Sequence, residues 1–288
     1  MGNQPKSSLK IEPVRGLVDW FGQGARIHGL TNVRLARATD FYHYECNGEH
    51  DKDWGCAYRV LQSIINACHR KVPSIVEIQS RLFEVGFCDQ ELVRSSYWIE
   101  PSHAKVYLAT CGISSRYVEC DLRTSATELE SDLWQHFATS HLPVMIDDYF
   151  MTYLVAGIAH RRNDDKKQTT MLLRMDPHVT LATGKSQTLD DFANGRGQGV
   201  AWLQFEDVLT LQRSHKWMVL YPGQQGDCIL WPHERTRTRW FTGGQGDRFT
   251  VPNSTTDWEP IRLRMAVYEW LLLFMPPVVA DMITVFLC

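Results

Sequence analysis

Trp54-Gly55-Cys56-Ala57-Tyr58-Arg59 and, far downstream, Asp176-Pro177-His178 hold the residue types of thiol catalysis. A thiolate attacks a carbonyl, an imidazole moves the proton, and a carboxylate orients the imidazole. Cys56 is the expected nucleophile, His178 its base and Asp176 the orienting group. A lone cysteine is ordinarily a small buried hydrophobe. A glycine before it and an acidic residue before that are not what a core cysteine needs.

Local patterning says how each group is carried. After Cys56, apolar residues fall at Ala57, Val60, Leu61, Ile64, Ile65 and Cys68, the spacing of an amphipathic helix running to about residue 69. Asp53 is the candidate N-cap, and Gly55 is expected to leave room for a substrate backbone beside the sulfur. In the first turn, unpaired N–H groups favour an anion and raise the thiolate fraction. The apolar run Met171 to Met175, interrupted by Arg174, reads as a strand ending near Pro177. In extended chain, residues i and i+2 share a side, which puts Asp176 and His178 on one face. Such a site also needs donors for the developing oxyanion. Tyr44 is the candidate phenol, although spacing alone does not separate it from a packed tyrosine. By analogy with papain-like enzymes a glutamine donor belongs about six residues before the cysteine. His50 stands there instead.

The remainder of the chain sets bounds. Its 288 residues, 44% hydrophobic, are enough for one large core or a domain with extensions. Net charge is −3 with a pI near 6.4 and no basic patch, so nucleic acid is not an expected partner. None of the eight cysteines forms a C-x-x-C pair, and Cys46 with His50 is too short and solitary for zinc. No metal and no cofactor are expected, and a reducing cytoplasmic setting fits. Residues 1–15 lack the apolar segment of a secretory signal.

Residues 1–30 read as a polar lead-in, 31–225 as the catalytic domain and 226–288 as an extension with an apolar end. Within the domain, 31–50 holds extended chain. Helices are expected over 73–83, 103–111 and 127–139. Strands are expected over 116–120, 143–146, 153–158, 171–175, 200–203 and 217–221. A helical half carrying the nucleophile and a strand-rich half carrying the base make the fold class α+β. The run Trp270 to Cys288 is broken by Pro276-Pro277 and Asp281. That argues for a packed terminal helix or an interfacial anchor at residues 265–288 rather than a clean span.

With these residues assembled, the chain resembles the ubiquitin-fold modifier 1-specific proteases, of the short type, from about Tyr44 to Gln224. Besides the two opening motifs, the resemblance rests on Leu61-Gln62, Val72-Pro73, Glu77-Ile78-Gln79, Trp98-Ile99, Pro143-Val144-Met145-Ile146 and Gly157-Ile158. It implies a papain-like cysteine protease fold, with the nucleophile at the N-terminus of a helix packed on an antiparallel sheet. It implies Cys56, His178, Asp176 and Tyr44 as nucleophile, base, orienter and oxyanion donor. The implied activity is processing of the modifier precursor and release of the modifier from conjugated proteins, by cleavage after its C-terminal glycine. The implied partners are that precursor and its conjugates. The implied location is the cytoplasm, with the tail as contact to the endoplasmic reticulum membrane. Trp54, Trp98, Asp147 and Asp148 are the expected substrate contacts. The chain departs from the family at Glu100-Pro101 and Asp147-Asp148, where glycines are usual beside the cleft. Two alternatives stay open on sequence. One is a modifier-binding pseudoprotease whose cleft Glu100, Asp147 and Asp148 block. The other is a ubiquitin-specific peptidase or autophagin-like enzyme.

Overall fold

The computed structural model describes residues 11–27, 29–162, 168–179, 186–211 and 216–223. In chain order the elements begin with α1 (Leu17–Ile27), β1 (Leu30–Leu35), α2 (Cys56–Ala67), α3 (Ile75–Glu84) and α4 (Pro101–Thr110). They continue with β2 (Ser115–Asp121), α5 (Leu122–Thr139), β3 (Val144–Asp147), β4 (Thr152–Arg162) and β5 (Gln168–Met175). The last are α6 (Leu189–Ala193), β6 (Val200–Gln204), α7 (Phe205–Leu211) and β7 (Lys216–Pro222). The fold is α+β and papain-like, with one seven-stranded sheet in the order β2-β7-β3-β4-β5-β6. Every pairing is antiparallel, and β1 pairs with the later part of β4.

That topology explains where a site can form. Asp147 at the end of β3 pairs with Thr152 at the start of β4, and Met175 at the end of β5 pairs with Leu154. The end of β3, the start of β4 and the segment after β5 therefore share one end of the sheet. Helix α2 lies against β3 and β4, so its first residue arrives there as well. Nearly all of α2 is buried, from Cys56 through Ile65 together with Ala67. This is why its sequence is apolar beyond one stripe.

Several boundaries differ from the sequence expectation for local reasons. Helix α2 stops at Ala67 because Cys68 caps it and His69 follows in left-handed backbone at φ 54°. Helix α3 begins at Ile75 because Ser74 and Glu77 form a reciprocal capping box. Helix α4 begins earlier than expected because Pro101, with no N–H to lose, takes the first helical position. Helix α5 is longer than expected, with a break at Ser125.

The larger correction concerns the segment read as a polar lead-in. Residues 11–27 supply Ile11, Val14, Leu17, Val18 and Ala25 to the interior. Val14 pairs through its backbone with Phe41, and Ile11 bridges to Cys46. The segment is thereby tied to the loop that carries Tyr44. The expected anchor at residues 265–288 lies outside the described residues. Among the described residues, no helix is long and apolar enough to cross a membrane.

Candidate active site

Cys56 is the first residue of α2 and is nearly buried. The N-cap is Gly55, at φ −86° and ψ 3°, with no side-chain cap. Asp53 is not the cap: it is exposed and sits in left-handed backbone at φ 69°. Gly55 is required for a different reason from the one its sequence position suggested. A Cβ there would meet Asp51 Oδ2 at 2.1 Å and Asp51 Cβ at 2.5 Å. Asp51 cannot step aside, because Arg59 holds it in a fully buried bidentate pair, Nε to Oδ2 at 2.7 Å and Nη2 to Oδ1 at 2.7 Å. Asp51 also accepts from the Glu45 N–H at 2.8 Å, and its carbonyl accepts from the Gly55 N–H at 2.8 Å. One residue, through its carboxylate and its carbonyl, thus fixes both the turn after Tyr44 and the entry to α2.

His178 follows β5. Its Nδ1 lies 2.6 Å from Asp176 Oδ1, and the same oxygen accepts from the His178 N–H at 3.0 Å. The expected side-by-side placement of the two residues is therefore a direct bond. Its far side meets the Cys56 sulfur. Burial works against the imidazolium, but Asp176 and the sulfur outweigh it and hold His178 up at about 9. Burial likewise pulls Asp176 upward, while His178 and Arg174 hold it below the usual carboxylate range. Arg174 contributes at 3.5 Å and lies over the Tyr153 ring, itself beside His178. The Asp176 N–H donates to the Gly199 carbonyl at 2.6 Å. Gly199 sits at φ +82°, where a Cβ would also strike the Asp176 carbonyl at 2.7 Å, so only glycine lets the two segments meet.

Tyr44 arrives at the same point. Its N–H donates to the Pro177 carbonyl at 3.1 Å, its ring packs edge-on against His178, and its hydroxyl meets the Cys56 sulfur. Burial, with Cys56 and Asp51 adding to it, pushes the phenol far up, so it remains a proton donor at working pH. His50 is exposed.

The expected substrate contacts divide. Trp98 is 56% exposed, as is its neighbour Tyr97 at 58%, so an aromatic rim is open to a partner. That loop is held from beneath: Tyr58 donates to the Tyr97 carbonyl at 3.0 Å, and Gln79 bridges Ser95 and Arg94. Trp54 is partly buried and packs edge-on against Tyr58. Asp147 and Asp148 are buried instead of open to a cleft. Asp148 Oδ1 accepts from the Phe150 and Met151 N–H groups at 3.0 and 2.7 Å, closing the β3–β4 turn. Asp147 accepts from the Tyr149 N–H at 2.7 Å and from the Thr152 hydroxyl at 2.5 Å. Glu100 caps α4, its N–H donating to His103 Nδ1 at 3.2 Å. The carboxylates of Asp147 and Asp148 thus have local structural duties, whereas the Glu100 side chain is exposed.

The sequence pattern of Peptidase family C78 matches residues 32–213, which include every one of these groups. The chain belongs to that family. Relatives of this C78 member include the Ufm1-specific protease of Caenorhabditis elegans, 31% identical over 197 residues that cover 66% of this chain and 31% of the relative. The Ufm1-specific protease 2 of Danio rerio is 29% identical over 147 residues, 49% of this chain and 36% of the relative. The chain therefore spans about a third of the length of these curated relatives. The crystal structure of UfSP from C. elegans superposes with a TM-score of 0.52 at 24% identity, covering 67% of this chain and 34% of that one, a likeness of fold.

The C78 site also depends on residues that the sequence reading did not single out. Asp51 brings Tyr44 and Cys56 into register, Gly199 admits Asp176, and Thr152 stands 3.7 Å from the Cys56 sulfur. Arg59 carried a signal: a charged residue within an otherwise apolar helix start calls for a buried partner.

Proposed function

We propose that this C78 member is a thiol-dependent peptidase that cleaves after the C-terminal glycine of ubiquitin-fold modifier 1, trimming its precursor and releasing it from conjugated lysines. The observation that carries the reading is the 2.6 Å Asp176–His178 bond, with the Cys56 sulfur and the Tyr44 hydroxyl on the far side of the ring.

The steps follow from those positions. His178 takes the thiol proton, and the thiolate attacks the glycine carbonyl carbon. The carbonyl electron pair moves to oxygen, where the Tyr44 O–H and the Cys56 N–H receive it. As the tetrahedral species collapses, His178 gives its proton to the departing amine and a thioester remains. Water, deprotonated by His178, then releases the modifier carboxylate and the thiol. The substrate is inferred from the relatives named Ufm1-specific protease, and the open rim at Tyr97 and Trp98 supports a protein-sized substrate. The burial of Asp147 and Asp148 in the β3–β4 turn favours this reading over a blocked pseudoprotease.

The test is the purified full chain with the modifier fused to a C-terminal reporter. The parent releases reporter after the glycine and Cys56→Ser does not, although it still binds. A parent that cleaves a ubiquitin fusion and not this one rejects the substrate. The proposed location is the cytoplasm, with residues 265–288 contacting the endoplasmic reticulum membrane. Full-length protein found solely in the soluble fraction ends the membrane part.

A further inference from the structure

The Cys56 sulfur has a third neighbour beyond His178 and Tyr44. Thr152 Oγ1 lies 3.7 Å from Sγ, at the start of β4. A hydroxyl has one hydrogen. That of Thr152 points to Asp147 Oδ2 at 2.5 Å, across the β3–β4 pair where the two residues face each other. Thr152 is therefore left with lone pairs toward the sulfur. It accepts the S–H of a thiol and has nothing to donate to a thiolate. His178 and Thr152 compete for the same proton.

We propose that Asp147 and Thr152 are positioning residues that hold Cys56 back as a thiol: Thr152 is the acceptor of its S–H, and Asp147 fixes the Thr152 hydroxyl in that role.

The Asp147 end of this arrangement persists at neutral pH. Burial, with the Asp148 and Glu100 charges, pushes Asp147 up to about 6 against the bonds from Thr152 and the Tyr149 N–H, so it remains an acceptor above that pH. The groups facing Cys56 are Tyr44, His178 and Tyr153, with Asp176 behind the imidazole. The geometry also predicts what an amide at position 147 does. Oδ1 accepts from the Tyr149 N–H at 2.7 Å, so in Asp147→Asn the carbonyl oxygen keeps that place and the NH2 group turns to Thr152. The Thr152 hydrogen is then released toward the sulfur, where it stabilises the thiolate.

The test is the pH dependence of Cys56 alkylation by iodoacetamide in the full chain, read at the Cys56 peptide by mass spectrometry so that the other cysteines do not interfere. Thr152→Val, close to isosteric, and Asp147→Asn are expected to shift the half-maximal pH down by roughly half to one unit. That is about three- to tenfold more reaction near neutrality, the size one hydrogen bond carries. Thr152→Ser keeps the hydroxyl and is expected to match the parent. A merely structural role would lower the melting temperature without moving this midpoint. Midpoints equal to the parent's, or higher, in both variants overturn the inference. If Thr152→Val does not fold, Thr152→Ala and Asp147→Asn are held to the same criterion. The inference rests on Cys56 being the nucleophile of the proposed reaction, but the assay needs no modifier. A shifted midpoint with no modifier cleavage would sink the proposed substrate alone, and cleavage with no shift would sink this inference alone.

Discussion

Replacing Gly55 with alanine adds one methyl group at a place that looks tolerant, a glycine with ordinary backbone angles before a helix. Its φ of −86° is open to any residue, so backbone strain predicts almost no effect. Packing predicts a large one. The new Cβ would lie 2.1 Å from Asp51 Oδ2 and 2.7 Å from Asp51 Cγ, well inside contact distance. To relieve it, Asp51 must leave Arg59, whose Nε and Nη2 it holds at 2.7 Å each with both side chains fully buried. Arg59 would keep Glu49, Gln62 and the Cys46 carbonyl, so it is not wholly abandoned. Breaking a buried pair costs about 3–5 kcal/mol, and the remaining bonds place the expected loss at the lower end, about 3 kcal/mol. Activity falls further than stability, because Asp51 also anchors the turn after Tyr44 and the entry to Cys56. Urea unfolding of Gly55→Ala, Asp51→Ala and the double variant gives the stability terms. In the Asp51→Ala background the methyl group enters vacated space, so the two changes should be non-additive by about 2 kcal/mol or more. Gly55→Ala within about 0.5 kcal/mol of the parent, the range of an ordinary surface substitution, would refute the argument.

Other outcomes follow from the same geometry. Tyr44→Phe removes the proposed oxyanion donor and should lower kcat about 10²-fold with KM little changed; an unchanged kcat would assign the donor elsewhere. His178, raised from 6.5 to about 9, adds stability that is complete below 6.5 and lost as pH rises through 9, and activity should fall over the alkaline part of that range as the proton for the leaving amine disappears. Asp176→Asn removes the strongest support for that imidazolium and should move the alkaline limb down by about one unit or more; a limb that stays in place would assign it to another group. Asp148→Ala unpairs the Phe150 and Met151 N–H groups and should cost about 1–3 kcal/mol in thermal or urea unfolding, with no loss expected only if the turn is solvated.

The parts legible in sequence were those that local rules govern. Cys56 heads an apolar-periodic helix, and Asp176 with His178 obeys the two-residue alternation of extended chain. The strands of the sheet are mostly short apolar runs, and each expected run lies inside an observed strand except 143–146, which starts one residue before β3. What stayed hidden depends on contacts across the fold. Helix α1 contains Gly22 and Gly24, which dilute its periodicity; Gly22 is there because Leu35 Cδ1 occupies the space a Cβ would take, at 2.3 Å. The Asp51–Arg59 pair spans a loop that turns through left-handed backbone at Asp53, so no fixed spacing announces it. Asp147 and Asp148 follow an apolar strand and read as cleft residues. Their burial follows from the tight turn to Thr152, whose N–H groups those carboxylates satisfy.

The central claim is that Cys56 attacks the C-terminal carbonyl of a glycine-ended modifier. The direct measurement is incubation of the full chain with ubiquitin-fold modifier 1 whose C-terminal carboxylate is replaced by a thiol-reactive electrophile, followed by intact mass and peptide mapping. The account predicts a single adduct at Cys56 that is lost in Cys56→Ser and slowed in His178→Ala. No adduct with an active modifier reagent, or an adduct mapped to Cys46, Cys68 or another cysteine, would contradict it.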